Sequence, residues 1–257
     1  MPKNTIGITI DDAYLSIYEK AYPILKKNNF PFTIFVSTGS INSNSKVYMS
    51  WKQINEMINS NLPVSIGNHT VNHGHLAEKT EAEIMNEIIK SNNDYLENIG
   101  YKPNFFAYPY GEYSLKTKNI IKKNFVAAFG QHSGSLYDGI DLHELPRYAL
   151  NEQYGDLKRF KFAANSQGLK LKDIIPENKL INDDNNPPLL GFTLVDNIDD
   201  IINCYPSHGI KAKLIKVGDK RLELRFDKKF PKGRTRINCT VQNKNIWQWS
   251  GFQFINY

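Results

Sequence analysis

An α/β fold is predicted for this chain: a distorted or incomplete (β/α) barrel over residues 1–170, then a linker and a small antiparallel β-rich module over residues 171–257. Three observations carry this reading. Short apolar runs alternate with amphipathic helical stretches through the first part of the chain, the pattern of a parallel sheet or barrel. Polar, reactive residues follow directly on several of the apolar runs. After about residue 170 the helical period gives way to short alternating runs separated by turn residues, the pattern of an antiparallel sheet.

The elements come in order. Ile6-Gly7-Ile8-Thr9-Ile10 reads as a first buried strand that ends on Asp11-Asp12. Ser16 to Lys27 places Ile17, Ala21, Ile24 and Leu25 at helical spacing. Phe32-Thr33-Ile34-Phe35-Val36 is the second strand. Ser50 is placed to cap a helix carrying Trp51, Ile54 and Ile58 on one face. Pro63-Val64-Ser65-Ile66 is the third strand, and Thr80 with Glu83 forms a capping box for a helix that runs to Gly100. Phe105-Phe106-Ala107 is the fourth strand, Ser114 caps the next helix, and Phe125 to Phe129 is the fifth strand. A sixth is expected near Leu145 and a last helix over Tyr154 to Ala164. This stretch is short for a full eight-fold barrel. Asn182 to Pro188 reads as a linker, and Lys211–Val217, Arg221–Phe226, Ile237–Val241 and Ile246–Phe254 read as the strands of the module.

The totals narrow the class. The chain has 257 residues and a net charge of +6. Residues 186–257 hold 12 Lys and Arg against 6 Asp and Glu, which accounts for the whole excess. That suits contact with something anionic or a solvated basic face. No apolar stretch is long enough to span a bilayer. The start, Met1-Pro2-Lys3-Asn4, shows no apolar signal region, so the expectation is a cytoplasmic protein or one whose leader lies outside this sequence. Cys204 and Cys239 fit no metal spacing; they are a disulfide or two buried thiols.

The chemistry is expected at the C-terminal ends of the strands, where such folds carry their sites. Two adjacent carboxylates repel, and burying either is costly. The Asp11-Asp12 pair makes sense if a cation neutralises one while the other serves as a base. The third strand runs into Gly67-Asn68-His69-Thr70-Val71-Asn72-His73. Histidines four apart share one face of a helical turn and can grip one metal ion. Two imidazoles and a carboxylate leave positions open for water and substrate, and zinc suits them. Ferrous iron suits the same ligands, but its oxygenases usually sit on an all-β fold. His75 is a bystander that packs or faces solvent.

These motifs resemble the polysaccharide deacetylases, the carbohydrate esterase family with the NodB-homology domain. Thr9-Ile10-Asp11-Asp12, His69-Thr70-Val71-Asn72-His73 and Ala107-Tyr108-Pro109-Tyr110-Gly111 match its first three motifs in order. Ser37-Thr38-Gly39, Met49-Ser50-Trp51 and Leu145-Pro146-Arg147 look like the poly-N-acetylglucosamine deacetylase branch. The resemblance covers about residues 5–165 and implies a metal-dependent hydrolase that takes N-acetyl groups from a glycan. Asp12, His69 and His73 would hold a divalent metal, with zinc as the expected one. Asp11 would be the general base, and the backbone N–H of Tyr110 would hold the oxyanion. Tyr14, Trp51, Pro109 and Tyr110 would meet the sugar, although Trp51 at helical spacing reads equally well as core. Glycan substrates imply a secreted or periplasmic protein.

The chain departs from the family in two places. The third motif usually opens with an arginine that contacts the base; Ala107 stands there, and Arg147 is expected to supply the charge. The late motifs, including the one that gives a general acid, have no clear match. His132 is the first candidate and His143 the rival; a third option is Asp11 or water returning the proton. In the C-terminal module Trp247 and Trp249 share one strand face, Phe252 and Phe254 the other, and Gly251 between them is placed to mark a bulge. These aromatics read as the module's core, or as an accessory glycan surface with cell-envelope association through the lysines. No nucleic-acid motif is present. Other readings are an O-acetyl polysaccharide esterase and a catalytically lapsed carbohydrate-binding protein.

Overall fold

The computed structural model describes residues 5–257; Met1-Pro2-Lys3-Asn4, read above for a signal region, lies outside them. Two compact units are present. One runs to Pro109 and takes in Asn119–Ala128; the other holds Tyr110–Lys118 and Phe129–Tyr257. The change of texture near residue 170 therefore falls inside the second unit.

The first unit is built on β1 (Ile8–Asp11), β2 (Phe32–Val36), β3 (Val64–Asn68), β4 (Phe105–Ala107) and β5 (Ala127–Phe129). They form one sheet in that order, curled into a half-barrel. β1, β2 and β3 are parallel, with Asp11 beside Phe35 and Phe35 beside Gly67. Their C-terminal ends therefore lie in one row. Between them run α1 (Tyr22–Lys27), α2 (Thr38–Asn42), α3 (Trp51–Ile58), α4 (Glu81–Ile99) and α5 (Leu115–Asn124). Both expected capping boxes are made, Ser50 with Gln53 and Thr80 with Glu83. Gly100 ends α4 at φ 80°, the left-handed region in which glycine is favoured. Helix 16–27 begins instead as a wider turn, Ile17–Ala21, before Pro23 in the first turn of α1. Ile34, Ile54, Met57, Ile66 and Tyr95 are buried in the core of this unit. Each such side chain contributes about 1.5–3 kcal/mol by leaving water.

The expected sixth strand is reduced to one parallel bridge, Phe129 to Leu145. The expected helix from Tyr154 begins later, as α6 (Leu157–Asn165), where Asp156 accepts from the N–H of Arg159. Beyond it come β6 (Gln167–Gly168), β7 (Leu171–Ile175), β8 (Leu180–Ile181), β9 (Gly191–Leu194), β10 (Asn203–Pro206), β11 (Ala212–Val217), β12 (Arg221–Phe226), β13 (Gly233–Asn243) and β14 (Ile246–Asn256). They form two sheets, β10-β13-β14-β6 with β8 also on β14, and β11-β12-β9-β7. Pairing is antiparallel except that β6 and β8 lie parallel to β14. Phe192, Leu222 and Leu224 from one sheet pack with Ile237, Phe252 and Phe254 from the other.

Three readings of this region change. Asn182 to Pro188 is no linker: Asn186 is buried, and its side chain bonds both the N–H and the carbonyl of Phe230. Gly251 marks no bulge, because β13 and β14 pair without a break from Gly233–Asn256 to Asn243–Ile246. A Cβ at Gly251 would instead stand 2.3 Å from the carbonyl oxygen of Ser133. The open choice for the cysteines resolves as a disulfide, Cys204–Cys239, between register partners of β10 and β13. Among the described residues no helix is long and apolar enough to cross a membrane.

Candidate metal centre

The last carbonyls of β2 bring the candidate ligands together. Asp12 donates its N–H to Phe35 O, and His69 donates its N–H to Val36 O, each at 3.0 Å. The two side chains thus leave the same rim from opposite sides of β2. Asp12 Oδ1 stands 3.6 Å from His69 Nε2 and 3.4 Å from His73 Nε2. These separations are too long for good hydrogen bonds. Two atoms each about 2 Å from a shared ion at a tetrahedral angle stand about 3.3 Å apart. Among the described residues Asp12, His69 and His73 are the group that could hold a metal ion.

The tautomer of His69 is set. Its Nδ1 lies 2.7 Å from the carbonyl oxygen of Ala107, which can only accept, so Nδ1 carries the proton. Nε2 then presents a lone pair, is fully buried, and has no hydrogen-bond partner among the described residues. Leaving such a group unsatisfied costs about 1–3 kcal/mol. A metal ion is the partner this lone pair fits, and the second-ring N–H to a carbonyl is the usual support of a ligating histidine. Burial holds the His69 pKa below its ordinary value despite the nearby negative charge of Asp11. The ring is therefore neutral, as ligation requires.

Backbone strain gathers here. Asp12, Ala13, Thr70 and His73 are all left-handed, at φ 72°, 52°, 68° and 50°. Each costs roughly 1–2 kcal/mol in a residue with a Cβ, and such strain concentrates at functional sites. Thr70 Oγ1 accepts from the N–H of His73 at 3.0 Å, which folds the four-residue spacing into a turn.

Tyr110 belongs to the second unit and is also left-handed, at φ 59°. Its carbonyl accepts from Arg234 and from Gln253, each at 3.2 Å, and Gln253 also donates to Gly111 O at 2.9 Å. The C-terminal sheet thus grips the third-motif loop through β13 and β14. Neither Arg234 nor Gln253 was singled out from the sequence; nothing in the local pattern pairs them with a loop more than a hundred residues earlier.

The other expected residues are placed as follows. Tyr14, 40% exposed, stacks on Tyr48 with centroids 5.1 Å apart. Trp51, half-buried, packs edge-on to buried Tyr95 at 5.9 Å and donates to Asn42 Oδ1 at 2.7 Å. Pro109 is buried. Arg147 donates through Nε to Gly130 O at 2.9 Å. His132 is buried and its pKa falls to about 4, with burial the main cause. Burial thus favours its uncharged form. His143 donates its backbone N–H to Asp141 at 2.8 Å. Trp247 and Trp249 ring-pack with Phe162, and Trp249 with Tyr148, while Phe252 and Phe254 enter the core.

A half-barrel with an aspartate and two histidines at its strand ends defines the class. Residues 1–128 match the polysaccharide deacetylase family, and this part of the chain belongs to it. The chain is 33% identical over 132 residues to the poly-beta-1,6-N-acetyl-D-glucosamine N-deacetylase of Staphylococcus aureus, covering 48% of this chain and 46% of that protein. It spans about half the length of the curated relatives it matches. Among solved structures it resembles the Streptococcus pyogenes deacetylase PplD in complex with acetate, at TM-score 0.59 and 26% identity over 63% of this chain and 71% of that one. IcaB from Ammonifex degensii gives TM-score 0.57 and 26% identity over 64% and 74%.

Proposed function

We propose that the protein is a zinc-type metal-dependent hydrolase that removes N-acetyl groups from N-acetylglucosamine residues of a glycan. The observation that carries this is the buried, partnerless Nε2 of His69 facing Asp12 and His73. The Staphylococcus aureus relative supports the poly-N-acetylglucosamine reading. Asp12, His69 and His73 would hold the ion. A bound divalent ion lowers the pKa of its water and polarises the acetyl carbonyl.

The chain's own residues do the rest. Asp11, at the end of β1, takes the proton of the attacking water. The N–H of Tyr110 donates to the carbonyl oxygen as it gains charge. Arg147 is the residue assigned the charge of the arginine that Ala107 replaces. The amide C–N bond breaks, and Asp11 returns its proton to the departing nitrogen. The products are acetate and a sugar bearing a free amine. Tyr14 offers its exposed ring to the sugar, with Pro109 shaping the floor.

The Cys204–Cys239 disulfide suits an oxidising compartment, in keeping with work outside the cytoplasm. The surplus lysines of residues 186–257 suit contact with an anionic envelope. The test is acetate release from poly-N-acetylglucosamine, chitin oligomers, peptidoglycan and O-acetylated xylan. Release from an N-acetylated glycan that a chelator abolishes and zinc restores is expected. Release only from the O-acetylated glycan, or release indifferent to chelation, overturns the proposal.

A further inference from the structure

The loop that carries His73 is held from two sides within the first unit. On one side, Ser37 Oγ and the N–H of Gly39 both donate to Val71 O, at 2.9 and 3.0 Å, and the N–H of Thr38 donates to Thr70 O at 3.0 Å. A Cβ on Gly39 would come within 2.7 Å of Val71 O, so this approach needs glycine. On the other side stands Glu87 of α4. Its Oε2 accepts the N–H groups of Val71 and Asn72, both at 3.0 Å, and its Oε1 accepts from Asn72 Nδ2 at 2.7 Å. One side takes the loop's carbonyls and the other its amides.

Glu87 is 5% exposed. No ion pair joins it to a cation among the described residues; three N–H donors offset the burial of its charge. A glutamate at a core position of a helix is costly to keep for packing alone. The two imidazoles also differ in how they are held. His69 follows β3 directly and its backbone is tied to β2, so the sheet sets it. His73 lies four residues further on, beyond left-handed Thr70, is left-handed itself, and its side chain is 23% exposed. A turn strained in this way relaxes unless it is gripped.

We propose that Glu87 is a positioning residue for the metal centre: its carboxylate closes the turn from Thr70 to His73 and so holds the His73 imidazole beside Asp12. This rests on the metal reading above and goes beyond it. It predicts that α4, which supplies no ligand, sets metal affinity through one imidazole and not the other.

The experiment measures zinc affinity by competition with a chromogenic chelator. Glu87→Ala weakens zinc binding about 10- to 100-fold, the range for a supporting group behind a ligand. Glu87→Gln, which keeps one acceptor oxygen, falls between Glu87→Ala and the wild type. In a His73→Ala background, Glu87→Gln causes no further loss beyond twofold. A role confined to stability would lower affinity alike in both backgrounds. Wild-type affinity in Glu87→Ala, or equal losses in the two backgrounds, overturns the proposal. A further measurement needs no variant: the amides of Val71 and Asn72 in the wild type are protected from hydrogen exchange and slow further on adding zinc. Free exchange at both positions overturns it too. A wild-type protein that binds no zinc sinks the metal reading itself, and so differs from a failure of Glu87 alone.

Discussion

Two buried histidines, His69 in the first unit and His132 in the second, share one feature: a ring nitrogen that meets no hydrogen-bond partner among the described residues. Burial lowers the pKa of both, so both are neutral imidazoles. Their surroundings differ. His69 Nε2 faces a carboxylate oxygen at 3.6 Å and shares that oxygen with a second imidazole. His132 Nδ1 lies against Gly130, where a Cβ would come within 2.7 Å of it, and no metal-binding group among the described residues includes it. An orphaned nitrogen becomes a ligand only where other donors converge on the same point. Without them it is a packing compromise whose cost appears in stability.

The sharpest way to break that contrast is to remove the convergence. Asp12→Ala is expected to abolish zinc-dependent acetate release and tight zinc binding, while His132→Gln leaves zinc affinity within twofold; competition titration of both variants decides. A large loss of acetate release in His132→Gln would restore it as the proton donor.

The next effect is on stability against pH. His132 titrates near pH 6.5 when unfolded and at about 4 when folded. Above pH 6.5 neither state binds the proton and nothing is lost. As pH falls from 6.5 to 4 the unfolded state takes up a proton that the native state refuses, so stability drops. The total is about 3 kcal/mol and is constant below pH 4. Urea unfolding at pH 7 and pH 4.5 should show a shallower pH slope in His132→Gln than in the wild type. Equal slopes would mean that the ring is not shielded as its burial implies.

Gln253→Ala tests what the second unit does with its buried polar groups. It removes bonds to Tyr110 O and Gly111 O and one from Arg236. A loss of about 2 kcal/mol is expected, read as a lower denaturation midpoint with zinc affinity unchanged. Arg147→Met should lower turnover about tenfold, or about 1.4 kcal/mol, at full zinc content; full turnover would remove Arg147 from the reaction. The smallest effect is expected at His75, which stands outside the converging group. His75→Ala should hold zinc affinity within twofold.

Much of the site was readable because its signals are local. Asp12 follows directly on a strand, and His69 and His73 are four apart, so each pattern lies within a few residues. The capping residues Ser50 and Thr80 were readable for the same reason. Glu87 left one trace, a charge between Ile84 and Ile88 on the apolar face of α4. Its partners could not be read, because they are backbone N–H groups, which every residue offers. β6 to β10 were missed because short strands flanked by prolines and asparagines lack a period long enough to detect.

The sequence by itself determined the order of strands and helices in the barrel, the rim on which the chemistry falls, and the residue types that fit a metal ion. Those follow from apolar spacing and donor chemistry, which are properties of neighbours along the chain. Only the tertiary structure decided that Cys204 meets Cys239, that Trp51 packs on Tyr95, that His132 is buried, and that Glu87 and Gln253 bond to their loops. Each of these depends on burial and on contacts between residues far apart in sequence, and burial is a property of the packed molecule.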